Sequence, residues 1–273
     1  MPELPEVETV KNKLKPRLIG NIIKEVTVYT DKIINYPTKE LFLQNIKETK
    51  FVNINRRGKW LIFELEQYYL VVHLRMEGKF FFKDKEESYN KHEHVIFSLN
   101  NDLELRYHDT RKFGQMHLIK KDELEAFFIS KNLGLEPFDD KLTVSYLKEK
   151  FKNKQQAIKS TLLDQSIIVG IGNIYVDEIL FLSGINPKKA TNKLKNKELA
   201  LIIKNTRKIL KQAIELEGTT IYTYSSLDGI KGMFQNQLLV HNKKGEPCSY
   251  CGTIIEKIKV GGRGTCYCPQ CQK

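Results

Sequence analysis

CSYC at residues 248–251 and CPQC at residues 268–271 are two cysteine pairs of the same spacing, separated by 16 residues. Two short turns of this kind can present four thiolates tetrahedrally to one metal ion. The pattern therefore predicts a zinc ribbon that holds one structural Zn²⁺ per chain. Its predicted ligands are Cys248, Cys251, Cys268 and Cys271. The alternative is a pair of redox-active CxxC motifs, which we disfavour because nothing nearby is typical of a thioredoxin-like unit.

The distribution of the cysteines supports a local role for them. All five lie between Cys248 and Cys271, too close together to cross-link a fold of 273 residues. The fifth, Cys266, stands two residues before Cys268, and we predict that it is not a ligand because this spacing does not fit a metal-binding turn. Residues 254–260 alternate in polarity and predict one arm of the ribbon hairpin.

The N-terminal half predicts one helix followed by short strands. Apolar residues recur at three- and four-residue intervals from Leu4 to Leu14, which is typical of an amphipathic helix over residues 3–15, and Pro16 is expected to end it. Eight short runs bounded by turn residues follow, at 24–29, 51–55, 60–66, 69–73, 79–83, 94–99, 103–107 and 115–119. Short strands at regular spacing predict an antiparallel β-sandwich or barrel.

The pattern becomes helical after a turn-rich stretch near residue 135. Helical runs cover residues 158–165, 173–181 and 197–217. We predict three domains, residues 1–134, 135–238 and 239–273, the last of which is the ribbon. The expected fold class is α+β and multidomain, with an N-terminal helix and antiparallel β-sandwich, a helical module and a C-terminal zinc-ribbon hairpin.

Composition excludes several classes of protein. Hydrophobic residues make up 41% of the chain, aromatic residues 10% and charged residues 29%, which is typical of a soluble globular protein and not of a disordered, collagen-like or membrane chain. No apolar run approaches the roughly 18 residues that a membrane-spanning helix needs. The acidic start, MPELPEVETV, does not resemble a secretory signal. We therefore expect a cytoplasmic protein without membrane contact.

The charge balance points to a polyanionic partner. The chain has 45 Lys and Arg residues against 33 Asp and Glu residues, a formal net charge of +12. Basic proteins attract nucleic acids because each phosphate that they neutralise releases condensed counterions. A composition that is merely rich in lysine is the competing interpretation.

Three short segments carry residues suited to contacts with nucleic acid. GIGNIY at residues 170–175 places two glycines and Asn173 at the start of a predicted helix, where backbone N–H groups can approach a phosphate. RRGK at residues 56–59 clusters three cations at a turn. RKF at residues 111–113 combines cations with an aromatic ring that suits insertion between bases. Each segment alone is more often a solvated loop or a simple turn.

Seven ordered motifs extend from one end of the chain to the other. They are PELPEVET at 2–9, RGK at 57–59, HLRM at 73–76, KHEH at 91–94, DTRKFG at 109–114, the stretch 163–178 and CPQCQK at 268–273. With these motifs the chain resembles the bacterial formamidopyrimidine-DNA glycosylase family. Leu4 favours this family over its sister, endonuclease VIII, which has glycine at that position. The resemblance implies a β-sandwich, a helix-two-turn-helix module and a zinc finger.

The resemblance also implies a reaction. A member of this family is a bifunctional DNA glycosylase/AP lyase of base excision repair, which excises 8-oxoguanine and formamidopyrimidines and then cuts the strand by β,δ-elimination. The amine of Pro2 would attack C1′ of the sugar and form a Schiff base, which requires the removal of Met1. Glu3 corresponds to the general acid/base and Lys59 to the proton donor in β-elimination. Arg263 corresponds to the arginine that assists δ-elimination and binds a DNA phosphate.

An α-amine is well suited to this role. Its pKa lies near 8, whereas that of a lysine lies near 10.4, so a larger fraction of an α-amine is unprotonated at neutral pH. The N-terminal dipole of the first helix should lower the pKa of a Pro2 amine further. Glu6 lies one helical turn beyond Glu3 and resembles an auxiliary carboxylate, although both acids would equally suit the start of any helix.

The same resemblance assigns contacts to damaged double-stranded DNA. One group of residues fills the gap left by the flipped lesion, and another contacts the DNA backbone. The gap-filling residues are Met76, Arg111 and Phe113, with Arg111 facing the orphaned base, and the backbone contacts are His92, Lys159 and Asn173. The loop 218–232 corresponds to a lid over the flipped purine.

A second hypothesis comes from a different functional class. A non-catalytic, zinc-containing DNA-binding protein would use the same helices and ribbon without any chemistry at Pro2. Covalent trapping on DNA that contains a lesion separates the two hypotheses. In either case we expect a monomer that works on the bacterial nucleoid.

Overall fold

The computed structural model describes residues 1–219 and 232–273 of the chain. Contacts divide the chain into two compact units. Unit 1 comprises Met1–Lys131 and Glu217–Gly232, and unit 2 comprises Asn132–Leu216 and Met233–Lys273. Within the two described stretches, no helix has both the length and the apolar character that crossing a bilayer demands.

In its described residues, unit 1 has three α-helices and nine β-strands. The helices are α1 (Leu4–Leu18), α2 (Lys39–Ile46) and α3 (Leu124–Ser130). The strands are β1 (Ile22–Val28), β2 (Ile34–Tyr36), β3 (Thr49–Arg57), β4 (Trp60–Leu65), β5 (Tyr68–His73), β6 (Lys79–Asp84), β7 (Glu93–Leu99), β8 (Leu103–His108) and β9 (Gln115–Lys120). All eight predicted strands are present, whereas β2, α2 and α3 were not predicted.

The nine strands form one sheet in the order β2-β9-β5-β4-β3-β1-β7-β8-β6. Strands β2 and β9 are parallel, and the other neighbours are antiparallel. β1 and β3 share only two paired positions. This short pairing divides the sheet into two halves, β2-β9-β5-β4-β3 and β1-β7-β8-β6. One hydrophobic core includes Phe63 from the first half and Phe97 from the second. The halves therefore enclose a common core as the layers of a sandwich, as predicted.

Helix α1 continues beyond its predicted end. Leu14 and Leu18 are both fully buried, so the apolar face extends past Pro16, which lies inside the helix. Proline removes one backbone hydrogen bond, and the burial of Leu18 offsets this loss. The prediction that Pro16 ends the helix is wrong because it considered the local backbone and not the packing of the next turn.

In its described residues, unit 2 consists of four α-helices and a two-stranded hairpin. The helices are α4 (Val144–Phe151), α5 (Ile158–Leu162), α6 (Asn173–Leu182) and α7 (Asn196–Glu215), and the strands are β10 (Glu256–Val260) and β11 (Arg263–Tyr267). α6 packs against α5, α7 and β11, and its residues from 175 to 181 are all buried. This central helix therefore joins the helical module to the ribbon hairpin.

The turn between β10 and β11 consists of Gly261 and Gly262, since Val260 pairs with Arg263. Their φ angles are +53° and +78°, the left-handed conformation that a two-residue hairpin turn of type I′ requires at both positions. The turn makes the exposed Arg263 the first residue of β11.

Candidate functional site

The start of α1 gathers several predicted site residues. Pro2 is buried and Glu3 is only 3% exposed. The backbone N–H of Glu3 donates to Glu6 Oε2 at 2.9 Å. Burial lowers the pKa of the Met1 α-amine; the charges of Glu3 and Glu6 oppose this shift, and the charge of Lys59 adds to it. A carboxylate pair and an ammonium group therefore surround the chain terminus.

Lys59 belongs to the turn between β3 and β4, and it is only 6% exposed near the start of α1. Gly58 precedes it with a φ of +57°, which glycine adopts without strain. Arg56 Nε donates to Glu8 Oε2 at 2.7 Å, and its Nη1 donates to the Gly58 carbonyl at 2.9 Å. Of the clustered cations, Arg56 thus ties the turn to α1 and holds Lys59 in position.

Glu6 connects the start of α1 with Thr219. Its Oε1 accepts the backbone N–H of Thr219 at 2.8 Å and the Thr219 hydroxyl at 3.1 Å. A Cβ on Gly218 would lie 2.7 Å from the same oxygen, so this close approach requires glycine. The predicted lid begins here, but its residues 220–231 lie outside the described part of the chain.

Arg111 and Phe113 lie on an exposed loop that one buried carboxylate organises. Asp109 is 0% exposed, and its oxygens accept the N–H groups of Arg111, Phe113 and Gly114 at 3.0, 2.9 and 2.8 Å. The guanidinium carbon of Arg111 lies 4.8 Å from the centre of the Phe113 ring, which is 50% exposed. We call residues 109–114 the Asp109 loop.

The segment that carries Met76 packs beside this loop. A Cβ on Gly78 would lie 2.2 Å from the Tyr107 hydroxyl oxygen, and one on Gly114 would lie 1.7 Å from it, so both segments approach the same hydroxyl. The Thr110 hydroxyl donates to Glu77, which joins the two segments directly. Met76 is 38% exposed. The structure thus brings the three predicted gap-filling residues together.

His92 is adjacent to the Asp109 loop through the backbone. The N–H of Asp109 donates to the carbonyl of His92 at 2.9 Å. The half-buried ring of His92 lies 5.5 Å from the ring of His108, centre to centre. The predicted backbone contact is therefore located on the same face of unit 1 as the loop.

In unit 2, three predicted DNA-contacting residues meet at the hairpin. The amide nitrogen of Asn173 donates to the Gly264 carbonyl at 3.1 Å, next to Arg263. Lys159 Nζ donates to the same carbonyl at 3.1 Å and to Thr265 Oγ1 at 2.8 Å. Lys159 is 0% exposed. The resemblance assigns Lys159 a contact with the DNA backbone, whereas the structure directs its ammonium into the protein.

The four predicted zinc ligands lie together. Their sulfur atoms all fall within 4.8 Å of one another, with 3.9 Å from Cys248 to Cys271 and 3.5 Å from Cys251 to Cys268. Sulfur atoms around a tetrahedral zinc ion lie about 3.8 Å apart, given a Zn–S distance of about 2.3 Å. Hydrogen bonds from Thr253 lower the pKa of the Cys251 thiol to about 6, which favours the thiolate. The site fits one structural Zn²⁺, and Cys266 is not part of it.

Sequence reasoning missed several buried polar residues that organise these sites. They are Asp109 in unit 1 and Asp177, Glu178 and His241 in unit 2. The acids at 177 and 178 interrupt an otherwise apolar helix, NIYVDEILFL, and this interruption was the available signal. Glu178 accepts the N–H groups of residues 239, 240 and 241 at 2.8, 3.0 and 2.8 Å. Burial raises the pKa of this carboxyl group.

Three family models match the chain in order. They are the formamidopyrimidine-DNA glycosylase N-terminal domain over residues 1–116, the formamidopyrimidine-DNA glycosylase H2TH domain over residues 133–225, and a zinc finger found in FPG and IleRS over residues 245–273.

Whole proteins match over their full length. The formamidopyrimidine-DNA glycosylases of Pediococcus pentosaceus and Bacillus cereus are 46% and 47% identical to this chain, with 100% of the chain and 99% of each relative covered. Lactococcus lactis Fpg in complex with abasic-site DNA is 40% identical, with a TM-score of 0.95 over 99% of both chains. A Lactococcus lactis Fpg mutant bound to DNA that contains Fapy-dG is 41% identical, with a TM-score of 0.93 over 100% of both chains.

Proposed function

This chain belongs to the formamidopyrimidine-DNA glycosylase family, and we propose that it performs the family's reaction with Pro2, Glu3, Lys59 and Arg263. It is a DNA glycosylase and AP lyase of base excision repair that acts on oxidised purines. The observation that best supports the residue assignment is the burial of Glu3 and Lys59, which are only 3% and 6% exposed.

Pro2 supplies the nucleophile once Met1 has been removed, because its nitrogen is then a secondary amine and no longer part of an amide. This amine attacks C1′ of the damaged nucleotide and loses its proton, and the bond from C1′ to the base breaks. The C1′–O4′ bond then breaks, which opens the sugar ring and leaves an iminium between Pro2 and C1′. Burial lowers the pKa of the Met1 α-amine. The same surroundings would lower the pKa of a free Pro2 amine and keep more of it unprotonated near neutral pH.

Glu3 acts as the general acid/base that protonates the sugar ring oxygen or the departing base. The iminium makes the C2′ proton acidic, and loss of that proton breaks the C3′–O bond in β-elimination. Lys59 donates a proton in this step. Arg263 binds a DNA phosphate and assists δ-elimination, in which C4′ loses a proton, the C5′–O bond breaks and the second phosphate leaves.

Damaged double-stranded DNA is the substrate. Met76, Arg111 and Phe113 fill the gap that the flipped nucleotide leaves, and their close association on unit 1 supports this role. His92 and Asn173 contact the DNA backbone. Since Asn173 already donates to Gly264, its second amide hydrogen is the one that serves the phosphate.

The chain is further divided by function into residues 1–134, 135–238 and 239–273. This division agrees with the three family models, which cover residues 1–116, 133–225 and 245–273. Zinc, when bound, holds the two cysteine turns of the last part together. The protein acts as a monomer in the cytoplasm, on the nucleoid.

Borohydride trapping tests the catalytic assignment. Protein shown by mass spectrometry to lack Met1 should form a covalent complex with DNA containing 8-oxoguanine. Pro2→Gly retains a primary amine and should keep some trapping, whereas Glu3→Gln should bind lesion DNA but lose base excision. The exposed Glu25→Gln is the matched control and should excise normally. Full excision by Glu3→Gln contradicts its role, and absence of trapping in the processed wild-type protein favours a non-catalytic DNA-binding protein.

A further inference from the structure

Unit 2 contains a buried ion pair whose role the reaction does not explain. Lys159 on α5 and Asp177 on α6 lie 2.7 Å apart, Nζ to Oδ1, and their side chains are 0% and 1% exposed. The other oxygen of Asp177 lies 2.8 Å from His241 Nδ1. Moving charges out of water is unfavourable, so replacing such a pair with apolar residues often leaves stability unchanged. We therefore look for the function of this ion pair in how it positions the residues around it.

The backbone also fixes His241 in this cluster. Asp177 contacts its ring, and the neighbouring Glu178 accepts its N–H at 2.8 Å. Two consecutive acids of the central helix thus hold the same histidine, one at the side chain and one at the backbone. Asn242 follows with a φ of +63°, as the chain turns towards the ribbon. We call Lys159, Asp177 and His241 the hairpin anchor.

The Lys159 ammonium joins the anchor to the hairpin. Besides Asp177, it donates to the Gly264 carbonyl and to Thr265 Oγ1. Asp177 Oδ2 also accepts the N–H of Cys266, at 3.4 Å. Three consecutive residues that follow Arg263 are therefore held by one buried ion pair.

The turn itself is held against α5. A Cβ on Gly261 would lie 2.3 Å from the Ser160 hydroxyl oxygen, next to Lys159 in the sequence. The Thr265 hydroxyl, which accepts from Lys159, donates in turn to the Arg263 carbonyl at 3.1 Å. Arg263 thus has an exposed side chain on a backbone that is fixed on both sides.

We propose that the hairpin anchor positions Arg263 for its contact with the DNA phosphate and for δ-elimination. This inference rests on the role proposed above for Arg263. Asp177 is the central positioning residue, since its two oxygens serve Lys159, His241 and the backbone of Cys266. None of the three anchor residues needs to touch DNA, because they act through the backbone of the hairpin.

Asp177→Asn is the most informative variant. It keeps the shape of the side chain but replaces one acceptor oxygen with a donor, so it cannot accept from Lys159 and from His241 at once. The full-length, zinc-loaded protein is given DNA with a preformed abasic site, and the ratio of β- to δ-elimination products is measured. Affinity for a tetrahydrofuran-containing duplex is measured as well. We expect a lower δ fraction and about tenfold weaker binding, since a displacement of about 1 Å can change rates by that much or more.

A double-mutant cycle separates positioning from general structural damage. If Asp177 acts through Arg263, Asp177→Asn should add little to the loss already caused by Arg263→Ala. Additive losses would overturn the proposal. The ion pair of Lys152 and Glu149 is exposed, with side chains 57% and 69% accessible, so Glu149→Gln is a matched control that should leave both readouts unchanged.

A second variant keeps the test decisive if Asp177→Asn loses zinc. His241→Phe preserves a buried ring and the ion pair but removes the contact with Asp177, and it should lower the δ fraction in the same direction by a smaller factor. An unchanged product ratio in His241→Phe with full zinc content refutes the proposal. If Arg263→Ala itself changes neither products nor affinity, the assignment of Arg263 fails, which is a different result from failure of the anchor.

Discussion

The Asp109 loop and the ribbon hairpin each present an exposed arginine, but they are held in opposite ways. Asp109 contacts backbone groups only two to five residues ahead of it. The hairpin is held by Lys159, which is 105 residues before the carbonyl it contacts. A buried acid is central in both cases. In the loop it binds its own neighbours, and in the hairpin it organises groups from three separate segments.

This difference predicts how far a perturbation spreads when each region loses its structure. The Asp109 loop depends on one side chain and on the sandwich beneath it, so damage there should stay within unit 1. The hairpin depends on the zinc site, the central helix and the anchor together, so it should fail as a whole. Perturbations that separate the two regions test this view.

Removal of zinc should have the largest effect and should break only the hairpin. A ribbon with so small a core folds on its ion, whose binding contributes about 10 kcal/mol or more in comparable peptides. We expect chelation, or Cys268→Ser, to weaken binding of lesion DNA by about a hundredfold or more, where a hundredfold corresponds to about 2.8 kcal/mol of binding free energy. Thermal unfolding followed at Trp60, in β4 of unit 1, should be nearly unchanged.

The fifth cysteine provides the matched control. Cys266 is buried but lies outside the ligand set, so Cys266→Ser should retain one zinc per chain by elemental analysis. Loss of the Trp60 transition on chelation would show that the two units do not fail independently.

Asp109→Ala should have the next largest effect, confined to the loop. It leaves three backbone N–H groups without their acceptor, and we expect about 3 kcal/mol of lost stability in unit 1, at about 1 kcal/mol or more for each group. Asp109→Asn keeps one acceptor oxygen and should lose about half as much. Chemical denaturation followed at Trp60 measures both variants, with zinc content as a second readout.

Asp102→Asn is the control for this change. Asp102 is exposed and has a φ of +63°, a conformation that asparagine also adopts, so stability should change by less than about 0.5 kcal/mol. A stability loss of that small size in Asp109→Ala would mean that the loop is held by other contacts.

The salt dependence of binding should show the smallest but sharpest difference between the two arginines. Arg263→Ala should lower the log-log salt slope by about one, because it removes the one phosphate contact that we propose for this side chain. Arg111→Ala should weaken lesion binding with little change in slope, since we propose that Arg111 faces a base and not a phosphate. Equal changes in slope would make the Asp109 loop a second phosphate site and remove the functional difference proposed here.

Much of the fold followed from short-range patterns. Alternating and turn-bounded runs predicted eight of the nine strands of the sheet, and helical spacing predicted α1. β2 escaped notice because three residues are too few to show a period, and it forms only by pairing in parallel with β9. The predicted end of α1 at Pro16 was wrong because the helix continues to Leu18, whose buried side chain stabilises the last turn through packing.

The zinc ligands were determined by the sequence alone. Two cysteine turns of fixed spacing can meet at one ion wherever the ribbon is placed, and the four sulfur atoms lie together as predicted. The Asp109 loop is almost as local, because its carboxylate reaches N–H groups within five residues. The DTRKFG motif therefore largely determines the backbone conformation of the Asp109 loop.

The role of Lys159 was decided only by the tertiary structure. A lysine in a basic chain is by default a surface cation, and nothing in its neighbouring residues marks it otherwise. Its burial depends on Asp177, 18 residues further along, and on a hairpin more than 100 residues away. Contacts at such separations are set by the packing of whole elements, so local sequence determines which groups bind zinc, whereas the assembled fold determines which charges are removed from water.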